Sequence, residues 1–204
     1  MCQEVFQILQ SLDAQNLDAQ LAIQCAPVIT GLKLSNLLMV DRCCAGKVEH
    51  MLRETGFCCN RVMETTDRTA ILVYDFSRLQ SYLLQSAVGW MMEKFGYHDL
   101  RVEVVLERFR QRYESYLQAG CEFPHEMGLL LGYPPEDVWG FVVNKGENAL
   151  YTGYWKVYAG TEQKRSLFHQ FECAREHLIQ LVHQGERMVD IIRKYRANQL
   201  RMAG

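Results

Sequence analysis

The clearest strand in the chain is Ala70-Ile-Leu-Val-Tyr74, whereas apolar residues at helical spacing recur along most of the 204 residues. Strands so few and so irregularly spaced do not make a doubly wound parallel sheet. Val5, Phe6, Ile8, Leu9 and Leu12 share one helical face over 2–13, and Leu17, Leu21, Ala22, Cys25 and Val28 share another over 17–29. Asp13 or Asn16 is placed to cap the second helix and Gly31 to stop it. Residues 36–41 predict a short buried strand, and 46–55 a helix stopped at Gly56. A weaker strand at 61–65 joins 70–74 through a hairpin loop, Thr66-Asp67-Arg68-Thr69. Ser77 predicts the cap of one long helix to Phe95, and 99–118 a second, ended by Gly120. Two short helices, 125–131 and 135–144, flank Gly132-Tyr133-Pro134. Tyr151 to Tyr158 reads as a last alternating strand, and 161–184 as a long helix continuing past Gly185 to about Arg201. The expected fold is α+β (or α/β), helix-rich, with a small mixed sheet of about four strands in a single domain over 1–204.

Composition supplies exclusions. With 49% hydrophobic and 23% charged residues the chain is an ordinary globular one, and four prolines with no Gly/Ser-rich stretch leave little to build a linker. Lys plus Arg total 22 against 24 Asp plus Glu, a net of −2 that announces no polyanionic partner. No apolar run approaches the length of a bilayer span, so no membrane association is expected. The start, Met1-Cys2-Gln3-Glu4, lacks the basic and apolar regions of a secretory signal. A cytoplasmic location follows as the expectation. There the eight cysteines are expected as free thiols acting as small buried hydrophobes.

The densest chemistry lies in FPHEMGLLLGYPPEDVWGF, residues 123–141. His125-Glu126 opens the outline of a metzincin helix, but the second imidazole belongs one helical turn on, where Leu129 stands, so no metal site is assigned. Met127, Gly128, Leu131, Gly132, Val138 and Phe141 carry helix-turn-helix spacing, and Pro135 suits the first turn of the second helix. That helix offers Glu136, Asp137, Trp139 and Gly140 where donors to bases and phosphates belong, which argues against nucleic acid. The plain alternative for His125 and Glu126 is a helix N-terminus, the carboxylate in its first turn and the imidazole bonded to backbone.

Cys43-Cys44-Ala45-Gly46-Lys47 follows a strand and opens a helix, but Val48 stands where a phosphate loop needs a hydroxyl, and the earlier glycine is missing. The adjacent pairs Cys43-Cys44 and Cys58-Cys59 bridge only with strain, and no C-x-x-C occurs. Packing is the best reading for seven of the eight thiols. Cys25 is the exception, because Pro27 is expected to kink or end its helix and expose the thiol to a pocket. The strand GYWKVY, 153–158, sets Tyr154, Lys156 and Tyr158 against Trp155 and Val157, and one of its faces could stack a planar ligand. Residues 187–201 form a basic amphipathic helix with Arg187, Arg193, Lys194, Arg196 and Arg201. Its default reading is a solvated helix end, and its second reading an interaction surface.

Three stretches, CAPVITGLKLSNLL at 25–38, FPHEMGLLLGYPPEDVWGF at 123–141 and GYWKVY at 153–158, together resemble an uncharacterised bacterial family, the domain of unknown function DUF3793. The resemblance runs from the second helix to the helix after GYWKVY. It implies a small soluble protein, chiefly of anaerobic, clostridial-type bacteria, and implies no activity. The motif positions it marks are Cys25, Pro27, Gly31, Lys33 and Asn36, then His125, Glu126, Gly132, Tyr133, Pro134, Asp137 and Gly140, then Gly153, Trp155, Lys156 and Tyr158. The vicinal cysteines and the basic tail fall outside that pattern.

The functional expectation is a ligand- or cofactor-binding protein with a Cys/His-containing pocket, the cofactor unspecified. Cys25, His125 and Glu126 are its candidate nucleophile and bases, and Lys33, Asn36, Tyr133, Asp137, Trp155 and Tyr158 its candidate ligand contacts. The alternative is a non-catalytic interaction module with a surface of Tyr133, Trp139, Trp155 and Tyr158. Convergence of Cys25 with His125 beside a cavity separates the first reading from the second.

Overall fold

Residues 7–8 and 16–203 are described by a computed structural model of the chain. Of the helix expected over 2–13, only Gln7 and Ile8 lie among the described residues, and both are helical. The chain divides into two compact units, one formed by residues up to Asp75 together with those from His169 onward, the other by Phe76–Phe168.

In the first unit, Asn16 caps helix α1 (Leu17–Ile29), its Oδ1 accepting from the N–H groups of Asp18 at 2.9 Å and Ala19 at 3.2 Å. Pro27 sits in the last turn without ending the helix early, and Gly31, at φ +82°, reverses the chain behind it. Strand β1 (Ser35–Asp41) leads through a 3-10 turn, Arg42–Cys44, into α2 (Ala45–Glu54). Strands β2 (Cys58–Glu64) and β3 (Arg68–Tyr74) form the expected hairpin, and the antiparallel sheet has the order β1-β3-β2. Register sets Leu38 opposite Ile71, and Asp41 opposite Arg68, whose side chains pair at 3.1 Å. Central strand β3 is buried from Thr69 to Tyr74, which is why 70–74 reads as a continuous apolar run. Leu38, Val40, Ile71 and Val73 pack with Leu21 and Ile29 of α1, with Val48 and Leu52 of α2, and with residues of two C-terminal helices. Those two are α8 (Thr161–His183), from Ala174 onward, and α9 (Met188–Ala203).

The basic C-terminal segment is solvent-exposed at Arg187, Arg193 and Lys194, and its cations are also ion-paired. Arg187 and Arg193 reach Asp190, Lys194 reaches Glu186 at 2.6 Å, and Arg196 bonds Asp75 and the carbonyl of Gly56.

The second unit begins with α3 (Phe76–Leu83) and α4 (Ser86–Lys94), where one unbroken helix is expected to Phe95. An unbroken helix carries Val88 about 140° around the axis from Leu83. The break at Leu84-Gln85 lets Leu79, Leu83, Val88, Met91 and Met92 all be buried. Helix α5 (Val102–Ala119) starts three residues later than expected, with the Gln80 side chain accepting from Val102 N–H at 3.1 Å, and ends at Gly120, φ +64°. Two short helices follow as anticipated, α6 (Met127–Leu130) and α7 (Pro135–Val143), turning at Gly132 with φ +71°.

The stretch expected as one strand over 151–158 is instead a small hairpin, β4 (Tyr151–Thr152) and β5 (Lys156–Val157). Its turn holds Gly153, where a Cβ would lie 2.4 Å from the Phe168 ring. The fold is therefore α+β, with one three-stranded antiparallel sheet and one two-stranded sheet among the described residues, where a mixed sheet of about four strands is expected.

Candidate functional site

The second unit encloses a cavity of about 260 Å³, walled by Phe123, His125, Tyr133, Phe141, Trp155 and Lys156 among others. Two of the three motif stretches build it. Its floor is made rigid by Asp137 at the start of α7, which is 2% exposed and accepts three hydrogen bonds. Trp155 Nε1 donates to Oδ2 at 2.8 Å, while the N–H groups of Tyr158 (2.8 Å) and Ala159 (3.2 Å) donate to Oδ1. Lys164 brings its ammonium to 3.8 Å from Oδ2 and bonds Glu136 at 2.6 Å. A buried carboxylate needs such company, since each oxygen carries lone pairs that burial would otherwise leave unmet. Asp137 thus acts on the backbone, pinning the segment after the hairpin to a helix start.

With its indole held there, Trp155 stacks on Tyr133 at 4.7 Å between centroids and meets the Phe168 edge at 4.5 Å. Tyr82 supports the Tyr133 turn by donating to its carbonyl at 2.7 Å. Tyr158 lies against Gly140, where a Cβ would come within 2.5 Å of the tyrosine, so that glycine exists for close approach. The Tyr158 hydroxyl is buried and has no hydrogen-bond partner among the described residues. Burial pushes its ionisation above the usual tyrosine range, with Asp137 adding to the shift.

At the cavity wall, the His125 ring lies 5.4 Å from Phe123 and 5.5 Å from Phe141, and makes no hydrogen bond among the described residues. The backbone-bonded imidazole expected of a helix N-terminus is not what forms. Lys156 extends over Phe141 at 5.8 Å and donates to the Gly146 carbonyl at 2.6 Å, so its charge is tethered beside the same wall.

Glu126, next to His125, is fully buried and turned elsewhere. It accepts from Tyr97 Oη at 2.8 Å and from Arg112 Nε at 2.6 Å, tying the 123–127 segment to α5. The hydrogen bond comes with burial, which pushes Tyr97 far above the ordinary tyrosine range, Glu126 adding to it. Glu126 holds His125 in place through the backbone and is absent from the cavity lining. Glu126→Gln removes the charge that Arg112 faces while preserving an acceptor for Tyr97. Because Arg112 is partly solvated, the expected cost is about 1–2 kcal/mol, read from urea unfolding.

Cys25, Lys33 and Asn36 belong to the first unit, and His125 and Glu126 to the second. Cys25 has no exposed surface and sits in the core among α1, the sheet and the C-terminal helices. Burial raises its thiol pKa from 9.0 to about 12, the reverse of what a nucleophile needs. Lys33 donates to Asn36 Oδ1 at 2.6 Å, and Asn36 in turn donates to the Gln24 carbonyl. Both side chains therefore lace α1 to β1.

Of the aromatic residues expected on an interaction surface, Trp155 is buried while Tyr133 and Tyr158 are half-buried. Trp139 is exposed and packs edge-on against Trp90 of α4 at 5.7 Å. Gln24, Tyr97, Arg112 and Lys164 carry the polar ties of the two motif regions and escape sequence reasoning, since each acts on a partner distant in the chain. The signal that was available is Trp155 itself, whose indole N–H is a donor only and demands an acceptor when buried.

Among the described residues, no group of three His, Cys, Asp or Glu side chains is placed to hold a metal ion, and no helix is long and apolar enough to cross a membrane. A family model described as a protein of unknown function (DUF3793) matches residues 21–192. No curated protein and no solved structure matches the chain.

Proposed function

The chain belongs to the DUF3793 family, and from that premise we propose that it is a soluble ligand-binding protein of the bacterial cytoplasm, its cysteines kept as thiols, whose ligand enters the aromatic cavity beside His125. One observation carries the reading: two motif stretches converge on a single cavity whose wall bears an imidazole with no hydrogen bond among the described residues. Its volume, about 260 Å³, falls just below the usual range for drug-sized ligands, which suits a single or fused ring. Phe123, Phe141 and Trp155 favour a planar apolar body. His125 and Lys156 favour an acceptor or acidic group on its edge.

Indole-3-acetate is a suitable probe. Titrating it into the protein while following the His125 ring protons by NMR is expected to give a saturable shift. In His125→Ala, affinity measured by calorimetry is expected to fall about tenfold, the loss of one charge-assisted hydrogen bond. A His125 signal that stays unmoved at saturating probe overturns the proposal.

A second reading, a protein-interaction module, is favoured by the exposed Trp90–Trp139 pair. It predicts that Trp139→Ala leaves probe binding unchanged and abolishes pull-down of a cellular partner. Unaltered pull-down in that variant removes this reading.

A further inference from the structure

The chain contains the dipeptide Cys-Cys twice, in two backbone settings. Cys58 and Cys59 lie in strand β2, where successive side chains point to opposite faces. Cys59 packs against the core accordingly, and Cys58 turns to the other face. Cys43 and Cys44 instead occupy the 3-10 turn between β1 and α2, which brings both sulfurs to one side with Sγ atoms 3.8 Å apart. Cys43 is exposed and Cys44 half-exposed.

That separation is far from the ~2.05 Å of a disulfide. It equals the spacing, about 3.8 Å, between two sulfurs on one tetrahedral centre with ~2.3 Å thiolate bonds. A structural zinc ion would need four ligands, and among the described residues no third His, Cys, Asp or Glu joins the pair. The nearby carboxylate of Asp41 is engaged by Arg68 at 3.1 Å. A linear two-coordinate ion would need its sulfurs on opposite sides. What remains is a soft, pyramidal centre satisfied by two thiolates and carrying its own third substituent, whose narrower angle at the centre draws the sulfurs slightly closer than 3.8 Å, a movement the exposed Cys43 side chain allows.

We propose that Cys43 and Cys44 form a bidentate site for trivalent organoarsenicals. The reaction is a condensation: R–As=O and the two thiols give a cyclic dithioarsenite and one water. Two As–S bonds form, the oxygen leaves with both thiol protons, and arsenic stays trivalent, so no oxidant or reductant takes part.

The test uses phenylarsine oxide on the full chain, with intact-mass spectrometry before and after challenge by excess glutathione. The expected result is one equivalent bound and retained through the challenge. Chelation of this kind raises avidity by about 10²–10⁴, so Cys43→Ser and Cys44→Ser are each expected to weaken retention by at least about 100-fold. Cys58→Ser/Cys59→Ser is expected to bind as the native chain does, which controls for arsenic taken up elsewhere. Retention by Cys43→Ser/Cys44→Ser with a native circular dichroism spectrum overturns the proposal, as does removal of the adduct by the monothiol. Cys43 is exposed and Cys44 half-exposed, and neither belongs to the core cluster of the first unit.

Discussion

Replacing Asp137 with alanine is expected to cost about 3–5 kcal/mol of unfolding free energy, the largest effect of any single polar substitution in the second unit. Three donors lose their acceptor at once: Trp155 Nε1 and the N–H groups of Tyr158 and Ala159. Trp155 is 8% exposed, so water cannot readily replace the carboxylate there. The Lys164 ammonium loses one of two anionic neighbours, and its bond to Glu136 softens that part of the loss. Asp137→Asn sharpens the test. One amide oxygen can still serve the two backbone N–H groups, but the amide nitrogen then faces the indole N–H, donor against donor. The expected order of stability in urea unfolding is native, then Asn, then Ala. Equal stability of native and alanine forms would show that Asp137 does not hold the hairpin segment.

Lys33 and Cys25 give the next largest effect, and it appears as pH dependence. Burial lowers the Lys33 pKa from 10.5 to about 8. Between those values the unfolded chain holds a proton that the folded one has released, so stability rises with pH across that window, by about 3 kcal/mol in all. Below pH 8 the folded protein carries the full cost of a buried ammonium. Cys25 acts in the opposite sense, its thiol raised from 9.0 to about 12 by the same burial. Above pH 9 the unfolded chain loses a proton that the folded one retains, and stability falls, by about 4 kcal/mol at the far end. The pair therefore predicts a rise from about pH 8 to 9, near-cancellation to about 10.5, and a decline beyond it. Lys33→Met is expected to abolish the rise and be the more stable form at pH 7. Cys25→Ala is expected to abolish the decline at the cost of a small cavity. Chemical unfolding at intervals from pH 7 to 11 checks both, the quantity compared being the difference between each variant and the native chain.

Much of the backbone was legible because it obeys local rules. Asn16, Gly31, Gly56, Gly120 and Gly132 mark turns and caps by their own chemistry, and the structure uses each as its residue type predicts. The buried run 70–74 identified the central strand for the same reason. Where the reading failed, long-range packing decided. The break between α3 and α4 follows from which faces must be buried, and no proline or glycine announces it. At 151–158, alternation mimicked a strand, while the close approach of Phe168 to Gly153 made a turn.

The candidate site divides along the same line. His125, Tyr133 and Trp155 were singled out and do line the cavity. Cys25 was singled out because Pro27 was expected to open its helix, but the helix runs through Pro27 to Ile29 and the thiol stays in the core. A proline in the last turn takes away only one backbone hydrogen bond, which is too little to expose a side chain two residues before it in a packed helix.

The Gln24 side chain has a consequence for the company the sheet can keep. Strand β1 is an edge strand, and an edge with free donors and acceptors is a template for another chain. The Gln24 amide accepts from Met39 N–H at 2.8 Å and donates to Met39 C=O at 3.1 Å, the two-bond exchange a neighbouring strand would make. A single side chain thus stands in for a fourth strand at the middle of that edge. On the β1 side, the position where another strand would begin to pair is already taken from within.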